Sequence, residues 1–328
     1  MKRFEFTSTM APITVPMDFT IMEEKRILFS MDCYYKESWE DFARIWDTDC
    51  KELMKKVGLV IFKPDAFVSR NVDEILNYIC KLGFYPISYM SFRYSRHMIR
   101  DFWRYQFNTF TRQCVDILDD IYTFSDSLCV LFYTNKDFEY PTSEILSELK
   151  GPSDPLERKS YHIRSKSNVS SRILNSIHTS DEPADVIRDI GVCFNDDERS
   201  RLLQMAYDFK NVKINLKKYI NKMYEKITYK NLSYTDSLSK IMLEIQKETN
   251  FEGKDYIRRY VDRELHIEQV SWTVLKKIIK NKDLYIDLWD LILVISEIIE
   301  TKYSTVDRIF PEQRSLYFYV KLMGVLKY

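Results

Sequence analysis

Val57-Gly58-Leu59-Val60-Ile61-Phe62 is an unbroken apolar run that stops at Lys63-Pro64-Asp65. A run this short, closed by a charged residue and a proline, fits a buried strand. Ser127 to Tyr133 (Ser-Leu-Cys-Val-Leu-Phe-Tyr) repeats the pattern, and Phe84 to Tyr94 adds an aromatic-rich strand between them. The intervening segments carry a different period. Val72, Ile75, Leu76 and Ile79 make a helical stripe over Asn71 to Leu82, ended by Gly83.

Further helices are expected from Ser95 to about Gln106, around Arg112 to Tyr122, over Thr142 to Leu149 with Thr142 or Ser143 as cap, and from Glu182 to about Ile190. A short strand is expected around Ile173, Leu174 and Ile177, carrying His178. Strands and helices in this order predict an α+β fold of the split βαβ type, with a mostly antiparallel sheet and helices on one face. Upstream, residues 1–56 form an extension with a helix expected from Ser38 to Lys56. From Asp196 onward the pattern is helical throughout. Leu216, Ile220, Met223 and Ile227 form one stripe, and Leu284, Leu288, Leu291, Ile292, Ile295, Ile298 and Ile299 form another. The expected division is an extension 1–56, an α+β domain 57–200 and an all-α domain 201–328.

Composition excludes several functions. Lys plus Arg and Asp plus Glu are 49 each, so no global charge favours nucleic acid or an anionic membrane. The Lys210–Lys230 segment holds seven lysines and one glutamate, but few aromatics for base stacking, and reads as a solvated amphipathic helix. Arg93, Arg96, Arg100 and Arg104 read as a solvated basic face. The six cysteines are scattered without a C-x-x-C pair, which argues against structural zinc and fits a reducing compartment. No run reaches the length of a membrane span, and Met1 to Thr20 lacks the continuous apolar core of a secretion signal, so a cytoplasmic location is expected. With only six glycines there is no Gly-rich phosphate loop.

The chemistry concentrates in Asn175-Ser176-Ile177-His178-Thr179-Ser180-Asp181, which contains one of four histidines. The Ser-Asp-Glu-Pro run that follows reads as a helix cap, and a helix N-terminus offers N–H groups to a phosphate. A neutral imidazole there is a nucleophile suited to a terminal phosphoryl group. His97, His162 and His266 have no such company.

Lys63-Pro64-Asp65, Gly151-Pro152-Ser153-Asp154-Pro155, Ile163-Arg164 and Asn175 to Asp181 follow one another at distances that resemble the nucleoside diphosphate kinase family. The resemblance spans roughly 57–200 and implies that family's ferredoxin-like fold. It implies His178 as the phosphoryl acceptor, Asp189 as the acidic residue holding its imidazole, and Ser180 at the family's spacing. Lys63 and Arg164 would contact phosphates, Ser153 would take the place of a threonine donor, and Asn175 would bind the ribose. For the tyrosine expected near the histidine, Tyr105 is the candidate; for the aromatic under the base, Phe110. Mg²⁺ with ATP or another nucleoside triphosphate, and assembly as a homo-oligomer, are also implied.

The sequence departs from the family in three places. Ser147 stands where a second phosphate-binding arginine is expected, with Lys150 or Arg158 as possible substitutes, although a lysine lacks the guanidinium fork. Thr179 replaces a small residue and is expected to crowd the phosphate. Loop 156–171 lacks the family's Pro-Gly and Gly-Asp. Two functions therefore compete: a phosphotransferase acting on a nucleoside diphosphate or a specialised phosphorylated acceptor, and a nucleotide-sensing module whose helical domain engages a protein partner.

Overall fold

The computed structural model describes residues 11–169, 171–211, 214–247, 258, 271–281, 285–311, 315–316 and 319. Three helices come first: α1 (Glu23–Met31), α2 (Cys33–Trp46) and α3 (Cys50–Lys56). The α+β unit follows as β1 (Val57–Phe62), α4 (Pro64–Val68), α5 (Val72–Lys81), β2 (Tyr85–Phe92), α6 (Arg96–Phe102), α7 (Arg112–Phe124), β3 (Ser127–Tyr133), α8 (Thr142–Lys150), β4 (Ile177–Thr179) and α9 (Pro183–Cys193). Beyond it lie α10 (Asp196–Tyr207), α11 (Leu216–Glu225), α12 (Tyr234–Lys247), α13 (Trp272–Asn281) and α14 (Leu288–Ser296).

The four strands pair antiparallel in the order β2-β3-β1-β4, the ferredoxin-like arrangement. Strand β1 lies between β3 and β4 and is buried along its whole length, which is why its sequence is apolar throughout instead of alternating. Its register sets Ile61 opposite His178 and Phe62 opposite Ile177, so the histidine strand ends beside Lys63. At that corner Lys63 N–H donates to the Ser176 carbonyl at 2.9 Å. Ser176 adopts φ 62, an uncommon conformation for a non-glycine residue, and its N–H is held by the Asp65 carboxylate at 2.7 Å.

The helix expected from Ser38 to Lys56 is two helices. Asp32 caps the first by accepting from Tyr35 N–H at 3.1 Å, so α2 starts at Cys33, and Asp47 at φ 41 breaks it before α3. Helix α6 ends at Phe102, earlier than expected, and α8 is preceded by Pro141 without a side-chain cap from Thr142 or Ser143. Helix α11 is shorter than the Lys210–Lys230 segment, but Leu216, Ile220, Met223 and Ile227 are all buried as the stripe requires. Leu284 and His266 lie outside the described residues.

The N-terminal helices are integral to the α+β unit. Helix α2 packs on α9 so closely that a Cβ on Gly191 would come within 2.1 Å of the Tyr34 carbonyl oxygen. Arg188 of α9 pairs in the interior with Asp32 at 2.9 Å and donates to the carbonyls of Asp101 and Phe102 at 2.6 and 3.2 Å. Residue 200 falls inside α10, which is bound to this body by Arg199–Asp41 at 2.7 Å and by Trp46 donating to the Leu203 carbonyl at 3.1 Å. Of the later helices, α11 packs against α4 and β2, and α12, α13 and α14 gather on the α7 side. Ser237 of α12 donates to Asp290 of α14 at 2.6 Å, Trp272 of α13 to Asp120 of α7 at 2.5 Å, and Trp289 packs edge-on to Phe124. No helix among the described residues is long and apolar enough to cross a membrane.

Candidate active site

A cleft of about 470 Å³ opens beside the end of β4, within the range of small-ligand pockets. His178 and Lys63 lie on its wall, with Ser153, Arg164 and Asn175 from the loops between α8 and β4. Trp103, Phe107, Phe110, Leu118 and Tyr122 supply an aromatic and apolar side.

His178 Nε2 lies 2.9 Å from Asp189 Oδ2, and the Ser180 hydroxyl donates to the same oxygen at 2.7 Å. A carboxylate accepting at Nε2 fixes the proton there and leaves the lone pair on Nδ1. The ring is steadied by edge-on contacts with Phe102 and Trp103, at centroid distances of 4.9 and 6.2 Å.

Two cations form the floor. Lys63 is 2 % exposed, and its ammonium donates to Asn175 Oδ1 and lies 5.5 Å from the Tyr122 ring centroid. Burial pulls its pKa from 10.5 to about 8, against the attraction of Asp65, with repulsion from Arg164, Arg158 and Lys150 adding to the shift. Arg164 is buried and donates to the carbonyls of Gly151 and Ile177 at 2.8 and 3.0 Å, and to Asn175 Oδ1 at 3.3 Å. Desolvation, then the neighbouring Arg158, lower its pKa to about 10. Its Nε has no hydrogen-bond partner among the described residues. Both cations thus lean on neutral oxygens, an arrangement that favours an incoming anion.

Gly151 makes this loop possible. It sits at φ 79, and a Cβ there would meet His162 Cγ at 2.4 Å. His162 is structural, its pKa lowered to about 4 by burial first and by Lys159, Arg158 and Arg164 next.

Several expectations need correction. Tyr105 lies outside the cleft, its hydroxyl bonded to Asp32 at 3.1 Å; Phe102 and Trp103 are the aromatics against the histidine, and Trp103, which lines the cleft, stacks on Tyr122 at 4.8 Å. Thr179 does not crowd the cleft. Adjacent strand residues face opposite ways, and its side chain is buried on the other face of β4. The N-terminus of α9 does not line the cleft either: Glu182 and Asp185 close it with a capping box, and Lys25 pairs with both at 2.5 and 2.8 Å. Neither proposed substitute for the arginine at 147 reaches the cleft wall. Lys150 pairs with Asp181 at 3.0 Å, and Arg158 donates to the carbonyls of Pro152, Ser153 and Ser171. The basic face of Arg93, Arg96, Arg100 and Arg104 stands as expected: they are largely exposed, pair with Asp126, Asp119, Asp119 and Asp101, and none lines the cleft. Asp65, which orders the turn before His178, and Lys302 and Arg308, which line the cleft from far along the chain, are additions from the structure.

No group of three or more His, Cys, Asp or Glu side chains among the described residues could hold a metal ion. Asp154 and Glu157 line the cleft, and a magnesium ion entering on a nucleotide's phosphates needs only one or two protein carboxylates.

Sheet and cleft together define a ferredoxin-like α+β domain with a basic pocket of nucleotide size. The sequence model described as nucleoside diphosphate kinase matches residues 56–199. Residues 56–199 are therefore a nucleoside diphosphate kinase-like domain. Among solved structures, the chain is similar to the nucleoside diphosphate kinase of Aquifex aeolicus, with 22% identity, 44% of this chain and 97% of that one covered, and a TM-score of 0.37. An NDP kinase from Pyrobaculum aerophilum gives 21% identity, the same 44% and 97% coverages and a TM-score of 0.37. The enzyme of Encephalitozoon cuniculi gives 18% identity, 50% and 99% coverage and a TM-score of 0.38. A search of curated proteins returns no match.

Proposed function

We propose that this protein is a phosphotransferase that moves the γ-phosphoryl group of a magnesium–nucleoside triphosphate through His178 to a nucleoside diphosphate or a specialised phosphorylated acceptor. The observation that carries this reading is a nucleophile held ready beside two buried cations. The Asp189 contact at Nε2 leaves Nδ1 for attack, while Lys63 and Arg164 face the same cleft with neutral partners. In the first step Nδ1 bonds to the γ-phosphorus, the bond to the β–γ bridging oxygen breaks, and the diphosphate leaves. In the second step an oxygen of the acceptor attacks phosphorus and the P–N bond breaks. Lys63 and Arg164 offset charge on the transferred group, Ser153 donates to a phosphate oxygen, Asn175 meets the ribose and Phe110 stacks on the base. Asp189 and Ser180 orient the imidazole.

Incubation with γ-labelled ATP and Mg²⁺ tests this. Label that survives alkali but not acid is expected on the wild type and not on His178→Ala. Absence of label on a wild type that binds ATP refutes phosphotransfer and leaves a nucleotide-sensing module.

A further inference from the structure

Position 147 is a serine, and the cations nearest in sequence are engaged elsewhere: Lys150 by Asp181 and Arg158 by loop carbonyls. The positive charge on that side of the cleft arrives from the far end of the chain. After α14 the chain turns back and crosses the loop between α6 and α7. Thr111 N–H donates to the Thr301 carbonyl at 3.1 Å, and Tyr303 N–H to the Thr109 carbonyl at 2.7 Å, around an antiparallel bridge between Phe110 and Lys302. The Thr111 hydroxyl reaches the Glu300 carbonyl at 2.7 Å, and the Asn108 amide reaches the Asp307 carbonyl at 2.6 Å. These contacts make residues 300–308 a strap fixed largely by its backbone.

The strap carries Lys302 and Arg308. Both line the cleft that holds His178, and both line the adjoining groove of about 310 Å³ that Ser147 and Lys150 also border. The Lys302 ammonium lies 5.0 Å from the Phe110 ring centroid. Its pKa is lowered, by desolvation first, then by repulsion from Arg308, with Arg164 adding to it. Lys302 and Arg308 thus line the same cleft as Lys63 and Arg164, and a polyphosphate is the kind of ligand that four converging cations suit.

We propose that Lys302 and Arg308 form a phosphate clamp, supplied in cis by the C-terminal part of the chain, which replaces the arginine missing at position 147 and holds the di- or triphosphate of the nucleotide against His178. The proposal rests on the phosphotransferase reading above. Because the strap is tied to the loop carrying Phe110, the clamp couples the grip on phosphates to the position of the base.

The test is binding of ATP, ADP and adenosine, with Mg²⁺, by calorimetry on the full chain. Wild type is compared with Lys302→Gln, Arg308→Gln and the double variant, with Lys302→Arg as the charge-conserving control. Each glutamine variant is expected to weaken ATP binding by about tenfold and the double by about 10- to 100-fold. Adenosine binding should hold, Lys302→Arg should bind ATP as wild type does, and the losses should narrow at high salt. Thermal unfolding of every variant checks that the fold is intact. A double variant that binds ATP as tightly as wild type overturns the clamp. One that binds more tightly overturns it too, and makes the strap a competitor for the face of Phe110. The two readings fail separately. A wild type that binds ATP but takes no label on His178 refutes phosphotransfer while affinity still judges the clamp. A wild type that binds no nucleotide refutes both.

Discussion

Lys63→Met separates what the site costs the fold from what it gives the ligand. Lys63 is 2 % exposed, and its pKa falls from 10.5 to about 8, chiefly because burial penalises the charged form. A shift of that size corresponds to about 3 kcal/mol. Below pH 8 both folded and unfolded chains hold the proton, and the folded state bears the whole penalty. Between pH 8 and 10.5 the unfolded state binds more protons, so the Lys63 contribution makes stability rise with pH until the penalty is gone. Methionine has a similar reach without the charge. It leaves Asn175 Oδ1 with Arg164 alone, a loss of about 1 kcal/mol. The variant should therefore be about 2 kcal/mol more stable than wild type at pH 7, and the advantage should vanish at about pH 10 and reverse above it. Urea unfolding of both proteins at pH 7 and pH 9.5 measures this, and taking the difference cancels the other alkaline titrations. Saturating magnesium–ATP should invert the ranking at pH 7, because only wild type gains the ionic contact. A variant less stable than wild type at pH 7, with a difference that ignores pH, would refute the reasoning and show that the contacts of Lys63 outweigh its desolvation.

Arg188→Met leaves the buried carboxylate of Asp32 without its cation, though still hydrogen-bonded to Tyr35 and Tyr105, and removes donors from the carbonyls of Asp101 and Phe102, so a loss of about 3 kcal/mol is expected in denaturant unfolding. Adding Asp32→Asn should recover part of that loss, and additive penalties would contradict the pairing. Gly151→Ala combines φ 79 with a clash against His162, and should cost about 2 kcal/mol or more while weakening ATP binding through the displaced Arg164; an unchanged melting temperature would disprove the strain.

What could be read from the sequence follows how local each cause is. Strand β3 coincides with its run of Ser127 to Tyr133, because burial along nearly its whole length selects apolar residues between those ends. His178, Lys63, Arg164 and Asn175 meet because one β1–β4 register and one loop bring them together, α9 carries Asp189 to the histidine, and the spacing of the motifs holds that information. The choice of Tyr105 failed where aromatics crowd: Trp103, Tyr105, Phe107 and Phe110 stand within one irregular stretch, and the end of α6 at Phe102 decides which of them turns inward. Thr179 was misjudged although strand alternation alone puts it on the face opposite His178. The strap was not legible. Its hold on residues 108–111 runs largely through backbone groups, and backbone pairing leaves no mark in side-chain periodicity. The Ser147 substitution and the Lys302 and Arg308 placements are therefore two halves of one electrostatic problem, separated by more of the chain than a motif can span. A cleft with Lys63 and Arg164 on its floor already bears repulsion in the absence of ligand. Lys302 on the strap shares in that repulsion, which is why the proposed clamp predicts that a polyphosphate tightens the site.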